Sequence, residues 1–125
     1  MKDTRPRRPT VSLTAPGQFA IGCNYWASHA GTAMWSNWQP QIVAADLKKL
    51  AHGGLQILRV FPLWPDFQPV SALRGFHGRQ IDYRHGEEVL PATPAGQAGL
   101  SAVALQRFRF LADQAAAQRL RLIVG

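Results

Sequence analysis

Asp46-Leu47-Lys48-Lys49-Leu50-Ala51-His52-Gly53-Gly54-Leu55-Gln56-Ile57-Leu58-Arg59-Val60-Phe61 joins the end of a helix to an apolar strand. Val43, Leu47, Leu50 and Ala51 recur at helical spacing, with Lys48 and Lys49 on the other side. Upstream, Pro40 suits the first turn of a helix, where its missing N–H costs nothing. Gly53-Gly54 supplies the stop, because glycine takes the left-handed conformation freely. The pattern predicts a helix over Pro40–His52. The run Leu55–Phe61 is almost continuously apolar, as expected of a parallel strand covered on both faces, and Arg59 interrupts it.

Working outward, Phe19–Asn24 is a short apolar run that predicts the first strand. Residues 25–39 are rich in Gly, Ser, Asn and aromatic residues and predict a loop. Residues 62–100 carry many Pro and Gly with little periodicity, a loop length that is often functional. Within it, Gln80-Ile81-Asp82-Tyr83 has the character of one arm of a small hairpin. Ser101 is a good N-cap, and Ala104, Leu105, Phe108, Leu111, Ala112 and Ala115 form a helical stripe, predicting a second helix over Ala102–Gln118. Leu120–Gly125 predicts a third strand.

The order strand, helix, strand, helix, strand implies an α/β fold with parallel strands. Both an open doubly wound sheet and a closed barrel fit. Gly22-Cys23-Asn24-Tyr25 is not a Gly-rich phosphate loop, which disfavours a nucleotide-binding sheet. The expectation is therefore a partial (β/α)8 TIM barrel, strands 1–3 with helices 1–2. A complete barrel takes about 250 residues, and a third strand without a following helix would leave an uncovered edge. Residues 17–125 are thus expected to be the N-terminal part of a truncated catalytic barrel, preceded by a disordered basic tail over 1–16.

The chain carries 14 Lys+Arg against 7 Asp+Glu, a net charge of +7. That balance admits nucleic acid as a partner, but the charge is scattered apart from Arg5, Arg7 and Arg8, so no nucleic-acid partner is expected. The single cysteine, Cys23, cannot form an intramolecular disulfide and has the character of a buried apolar residue. The basic N-terminus lacks the apolar segment of a secretory signal, and no run approaches the ~20 residues that cross a membrane. A cytoplasmic protein without a membrane partner is the default expectation, which a missing leader would undo.

Chemistry concentrates after the first two strands. Tyr25, Trp26, Trp35 and Trp38 alternate with Asn24, Ser28, His29, Ser36 and Asn37. Flat rings beside amides and hydroxyls suit a sugar, with its apolar C–H faces and hydroxyl rim. Structural packing of the same rings is the competing reading. An arginine inside an apolar strand needs a partner, so Arg59 is either an ion-pair residue or the support of an ionised catalytic carboxylate. In Phe61-Pro62-Leu63-Trp64-Pro65-Asp66-Phe67-Gln68-Pro69 the prolines stiffen a segment that could hold Trp64, Asp66 and Gln68 toward a cleft. Glycoside hydrolysis needs two carboxyl groups flanking the bond, about 5 Å apart for retention. Glu87 and Glu88 are adjacent and point apart, and Asp46 and Asp113 fall on the predicted barrel exterior, leaving no pair. His29, His52, His77 and His85 show no metal-ligand spacing, and neither a metal nor a cofactor is expected.

These residues carry a resemblance. Ile21-Gly22-Cys23-Asn24-Tyr25-Trp26 is similar to the "GxNYW" of clan A glycoside hydrolases, notably the family 5 cellulases and mannanases. Asp46–Phe61 resembles that family's "DLxxLxxxGxNxLRVF", with Gln56 where Asn is usual. Leu63-Trp64-Pro65-Asp66-Phe67-Gln68-Pro69 is similar to its "LWxDFQP". The resemblance implies a retaining glycosidase acting on β-linked substrates such as β-mannan or β-glucan. It implies a glutamate pair on strands 4 and 7, beyond Gly125, so that the 125-residue chain would be inactive alone. It implies that Arg59 supports the nucleophile and that Asn24, Trp26 and Trp64 line the sugar cleft; the composition of the two loops adds Tyr25, His29, Trp35 and Asp66 as candidate substrate contacts. The competing functions are a carbohydrate-binding fragment without chemistry and, less favoured, a basic nucleic-acid-binding protein.

Overall fold

The computed structural model describes residues 12–68, 73–74, 77, 80–81, 94 and 99–125. Residues 1–11 of the expected tail, Glu87, Glu88 and most of the long loop lie outside the described residues. The elements are β1 (Gly22–Asn24), α1 (Pro40–His52), β2 (Ile57–Val60), α2 (Trp64–Phe67), β3 (Leu73–Arg74), β4 (Gln80–Ile81), α3 (Ala102–Ala117) and β5 (Arg121–Val124). β1, β2 and β5 form a parallel sheet in that order, with Cys23 opposite Leu58 and Leu58 opposite Leu122. β3 and β4 pair antiparallel, so Gln80 and Ile81 of the expected hairpin arm are paired, while Asp82 and Tyr83 lie outside the described residues. The architecture is the expected α/β one, a three-stranded partial barrel with two crossover helices.

Alternation along the strands sorts the sheet into two faces. Leu58 and Val60 are buried, and they join Val43 and Leu47 of α1 and Ala104, Leu111 and Ala115 of α3 in one core. Gly22 and Asn24 of β1, Arg59 of β2 and Arg121 and Ile123 of β5 are exposed, and Ile57 is half-buried. The expectation of cover on both faces of the second strand is thus corrected: the described residues cover one face and leave the other open. The near-continuous apolar run resembles a doubly covered strand because Ile57 lies on the open face without being polar.

Both long helices end in the same way. In α1 the Leu55 N–H bonds the Leu50 carbonyl and the Gly54 N–H bonds the Ala51 carbonyl, with Gly54 at φ 99°. In α3 the Leu120 N–H bonds the Ala115 carbonyl and the Arg119 N–H bonds the Ala116 carbonyl. This Schellman closure turns each chain directly into the next parallel strand and buries Leu120. The left-handed position that is glycine after α1 is occupied after α3 by Arg119, at φ 58°. At the other end of α3, the Ser101 side chain accepts from the Ala104 N–H at 3.0 Å, as its sequence position predicts.

Two stability outcomes follow from these contacts. Arg119→Gly is expected to stabilise the chain by about 1 kcal/mol, since a side chain in the left-handed region costs roughly that much, whereas Arg119→Ala, which keeps the Cβ, should show no such gain in denaturant unfolding. A Cβ at Gly22 would stand 2.6 Å from the Ile57 carbonyl oxygen and 2.8 Å from its Cβ. Gly22→Ala is therefore expected to force β1 from β2 and cost about 1–3 kcal/mol in the same assay.

Candidate functional site

The open face carries Asn24 and Arg59 side by side, because they are register partners across β1 and β2. With Gly22, Cys23, Ile57 and Ile123 they line a shallow concavity of about 260 Å³. At its upper edge the chain leaves β2 through Phe61. The Trp26 ring stacks on Phe61 with centroids 5.1 Å apart and planes 14° apart. The Arg59 guanidinium carbon lies 4.8 Å from the centre of the same ring. Among the described residues, the partner of this arginine is therefore an aromatic face and not a carboxylate.

Trp64 is 66% exposed at the start of α2. It lines a second concavity of about 440 Å³ with Pro62, Phe67, Gln68 and Leu100. Its exposure follows from the short helix: Phe67, three residues on, is the buried position, and Leu63 and Trp64 carbonyls accept from the Phe67 and Gln68 N–H groups. Asp66 is half-buried in the same turn. Asn24 and Arg59 thus share the first hollow and Trp64 lies in the second, while Trp26 lines a third, of about 230 Å³, with Asn24, Tyr25, Ser28 and Asp46.

Three of the candidate contacts have partners within the protein. Trp35 is 1% exposed. Its ring stacks on Trp38 at 5.6 Å and meets the edge of Phe67 at 4.9 Å, and its Nε1–H donates to the Phe61 carbonyl at 2.8 Å. Tyr25 is 3% exposed and faces α1. His29 donates from Nε2 to the Asn37 carbonyl at 2.7 Å, closing its own loop, and its Nδ1 is buried. Trp35 and Tyr25 thus pack within the protein, and the His29 ring bonds the backbone of its own loop.

Asp46 is the residue whose part was missed. It was expected on the exterior of the first helix, yet its carboxylate accepts from the Tyr25 hydroxyl at 3.1 Å, the Ser28 N–H at 2.8 Å and the Ser28 hydroxyl at 2.8 Å. It ties the loop carrying Trp26 to α1. An acidic residue three positions before Lys49 looks in sequence like one of a solvated helix pair, so no local signal distinguished it. Burial, then the negative charge of Asp46, then the hydrogen bond donated to it hold the Tyr25 phenol well above its ordinary range.

Among the described residues, no group of three His, Cys, Asp or Glu could hold a metal ion, and no helix is long and apolar enough to cross a membrane. The neutral phenol of Tyr25 is its native form. Because the raised value belongs to the folded state, its contribution to stability is complete below the unfolded value of about 10 and is lost as pH climbs above it. In a Tyr83→Phe background, phenolate absorbance should therefore appear only together with unfolding. Asp46→Asn is expected to cost about 1–3 kcal/mol and to let the phenolate form at lower pH than in the parent chain.

No protein-family profile matches this sequence, and no curated protein matches it. Solved structures do. An exo-β-1,4-mannosidase, Op5Man5, from Opitutaceae bacterium strain TAV5 matches over 85% of this chain at 25% identity with a TM-score of 0.60. GH5_18 from Streptomyces cattleya, a variant solved with Manβ1-4GlcNAc, matches over 84% at 27% identity and a TM-score of 0.59. The same enzyme solved with GlcNAc matches over 84% at 26% identity and a TM-score of 0.60. The chain spans 14% of the length of the first and 19% of each of the other two. The fold is that of a partial (β/α)8 barrel of the clan A, family 5 glycoside hydrolases.

Proposed function

We propose that this chain supplies the sugar-holding and arginine-bearing part of a retaining glycosidase that cleaves β-linked mannosides. The observation that carries the reading is the pairing of Asn24 with Arg59 on the open sheet face, beneath the Trp26–Phe61 stack. An amide, a fixed cation and a flat ring at the strand ends match what a pyranose and a catalytic carboxylate need, and the carboxyl-terminal end of the strands is where barrel enzymes place their sites. Trp64, exposed on α2, adds a second ring for a neighbouring sugar. The mannoside choice follows the matched proteins, an exo-β-1,4-mannosidase and an enzyme solved with Manβ1-4GlcNAc.

In this reading Arg59 keeps the nucleophilic carboxylate ionised through charge and hydrogen bonding. Asn24 bonds a sugar hydroxyl, and Trp26 and Trp64 stack on C–H faces. Glycoside cleavage by retention also needs two carboxyl groups about 5 Å apart across the bond. Among the described residues Asp46 is committed to Tyr25 and Ser28, Asp113 is exposed on α3, and Asp66 lies in α2. The reading therefore assigns sugar binding to the described residues and no catalytic carboxylate pair among them.

Calorimetric titration of the 125-residue chain with β-1,4-mannobiose and with Manβ1-4GlcNAc tests the reading. Expected are weak binding, weaker still in Asn24→Ala and Trp64→Ala, and no product from an aryl β-mannoside. Equal binding in both variants, or no heat with any β-glycoside, contradicts it. Turnover of the aryl mannoside would overturn the separation of binding from chemistry.

A further inference from the structure

Phe61 ends an apolar strand and has the appearance of a core residue, yet its ring is half-buried and serves two functional side chains at once. Trp26 stacks on it at 5.1 Å and the Arg59 guanidinium carbon sits 4.8 Å from its centre. Its own backbone is held from behind, since the Trp35 indole N–H donates to its carbonyl at 2.8 Å. On the remaining side the Gly125 backbone closes in: a Cβ there would lie 2.9 Å from Arg59 Nε and 3.3 Å from Phe61 Cδ1. The guanidinium, exposed on the open sheet face, therefore lies between a ring and a residue with no side chain.

We infer that Phe61 is a positioning residue, which fixes the plane of the Arg59 guanidinium toward a carboxylate and the Trp26 ring beside it. The physical reason lies in the shape of the group. A guanidinium is a planar fork whose donors lie in its plane, so a cation held over an aromatic face keeps its N–H groups free to meet a carboxylate at its edge. Lysine at that position would lack the fork, and an aliphatic residue in place of Phe61 would offer no quadrupole to the cation. Because one ring carries both groups, the sugar-facing aromatic and the anion-facing cation keep a fixed mutual position. The value of that position rests on the glycosidase reading above; the geometry that sets it does not.

Side-chain nitrogen NMR of the labelled 125-residue chain tests this, with Arg59→Lys to identify the signal and acetate as the carboxylate probe. The Arg59 Nε–H is expected upfield of the other arginines through the ring current of Phe61. It should move on acetate addition, more than they do. Phe61→Leu should return it to the common position and weaken acetate binding about two- to fivefold, the equivalent of one exposed cation–π contact. Phe61→Tyr should restore both. An Arg59 signal at the common position in the unaltered chain overturns the inference whether or not the Phe61 variants fold, and so does an upfield signal that survives Phe61→Leu. A shifted signal in a chain that binds no β-mannoside supports the inference and rejects only the functional reading. Mannoside binding with an unshifted signal does the reverse.

Discussion

The buried ring of Trp35 is the contact on which the rest of the site depends. It comes from the loop after β1 and stacks on Trp38, while its edges and faces meet Phe67 of α2 and Phe108 of α3. Its indole N–H holds the Phe61 carbonyl at the end of β2, and its own carbonyl accepts from Arg107 of α3. One residue thereby joins the loop after β1 to the end of β2, to α2 and to α3. Truncating a buried tryptophan typically costs about 3–5 kcal/mol, a large share of the roughly 5–15 kcal/mol that holds a domain together. The aromatic loop is therefore folded from within, and the rings left at its surface are those its core has no room for.

The division of labour on the sheet follows from strand parity. Every second residue of β2 faces the helices, so Leu58 and Val60 build the core while Ile57 and Arg59 cannot reach it. The register Gly22 to Ile57 and Asn24 to Arg59 carries the same parity into β1. A slip by one residue would bury Arg59 without a partner and expose two apolar side chains, so the apolar face fixes which residues stand on the open face. Gly22 permits the close approach that brings Asn24 into line with Arg59. Asp46 then pins the loop above through three hydrogen bonds. Packing, register and the polar anchor converge on one small region at the strand ends.

Much of this was legible in the sequence. The span Pro40–His52 is helical as its periodicity predicts, and the second long helix departs from the expected Ala102–Gln118 by one residue at its end. Strand order, the Ser101 cap and the strand-end location of Asn24, Arg59 and Trp64 also follow from local pattern. What pattern leaves open is which members of an aromatic cluster turn inward. Tyr25 and Trp26 are neighbours with the same local surroundings, and only the third dimension gives one to Asp46 and the other to Phe61. Phe61 itself was hidden because an apolar residue closing an apolar strand looks the same whether it serves the core or a cation. The Schellman turn at Arg119 was equally invisible, since the glycine that marks such turns is absent there.

In the proposed function the rings divide: Trp35 is buried in the structure, and Trp26 and Trp64 are assigned to the sugar. The four tryptophans give four indole N–H signals, and following them by NMR while β-1,4-mannobiose is added tests that partition most directly. The account predicts that the Trp35 signal exchanges slowly with solvent and stays in place, while those of Trp26 and Trp64 move together with the Asn24 side-chain amide. A Trp35 signal that exchanges rapidly or moves with the sugar, with Trp26 and Trp64 unaffected, would contradict it.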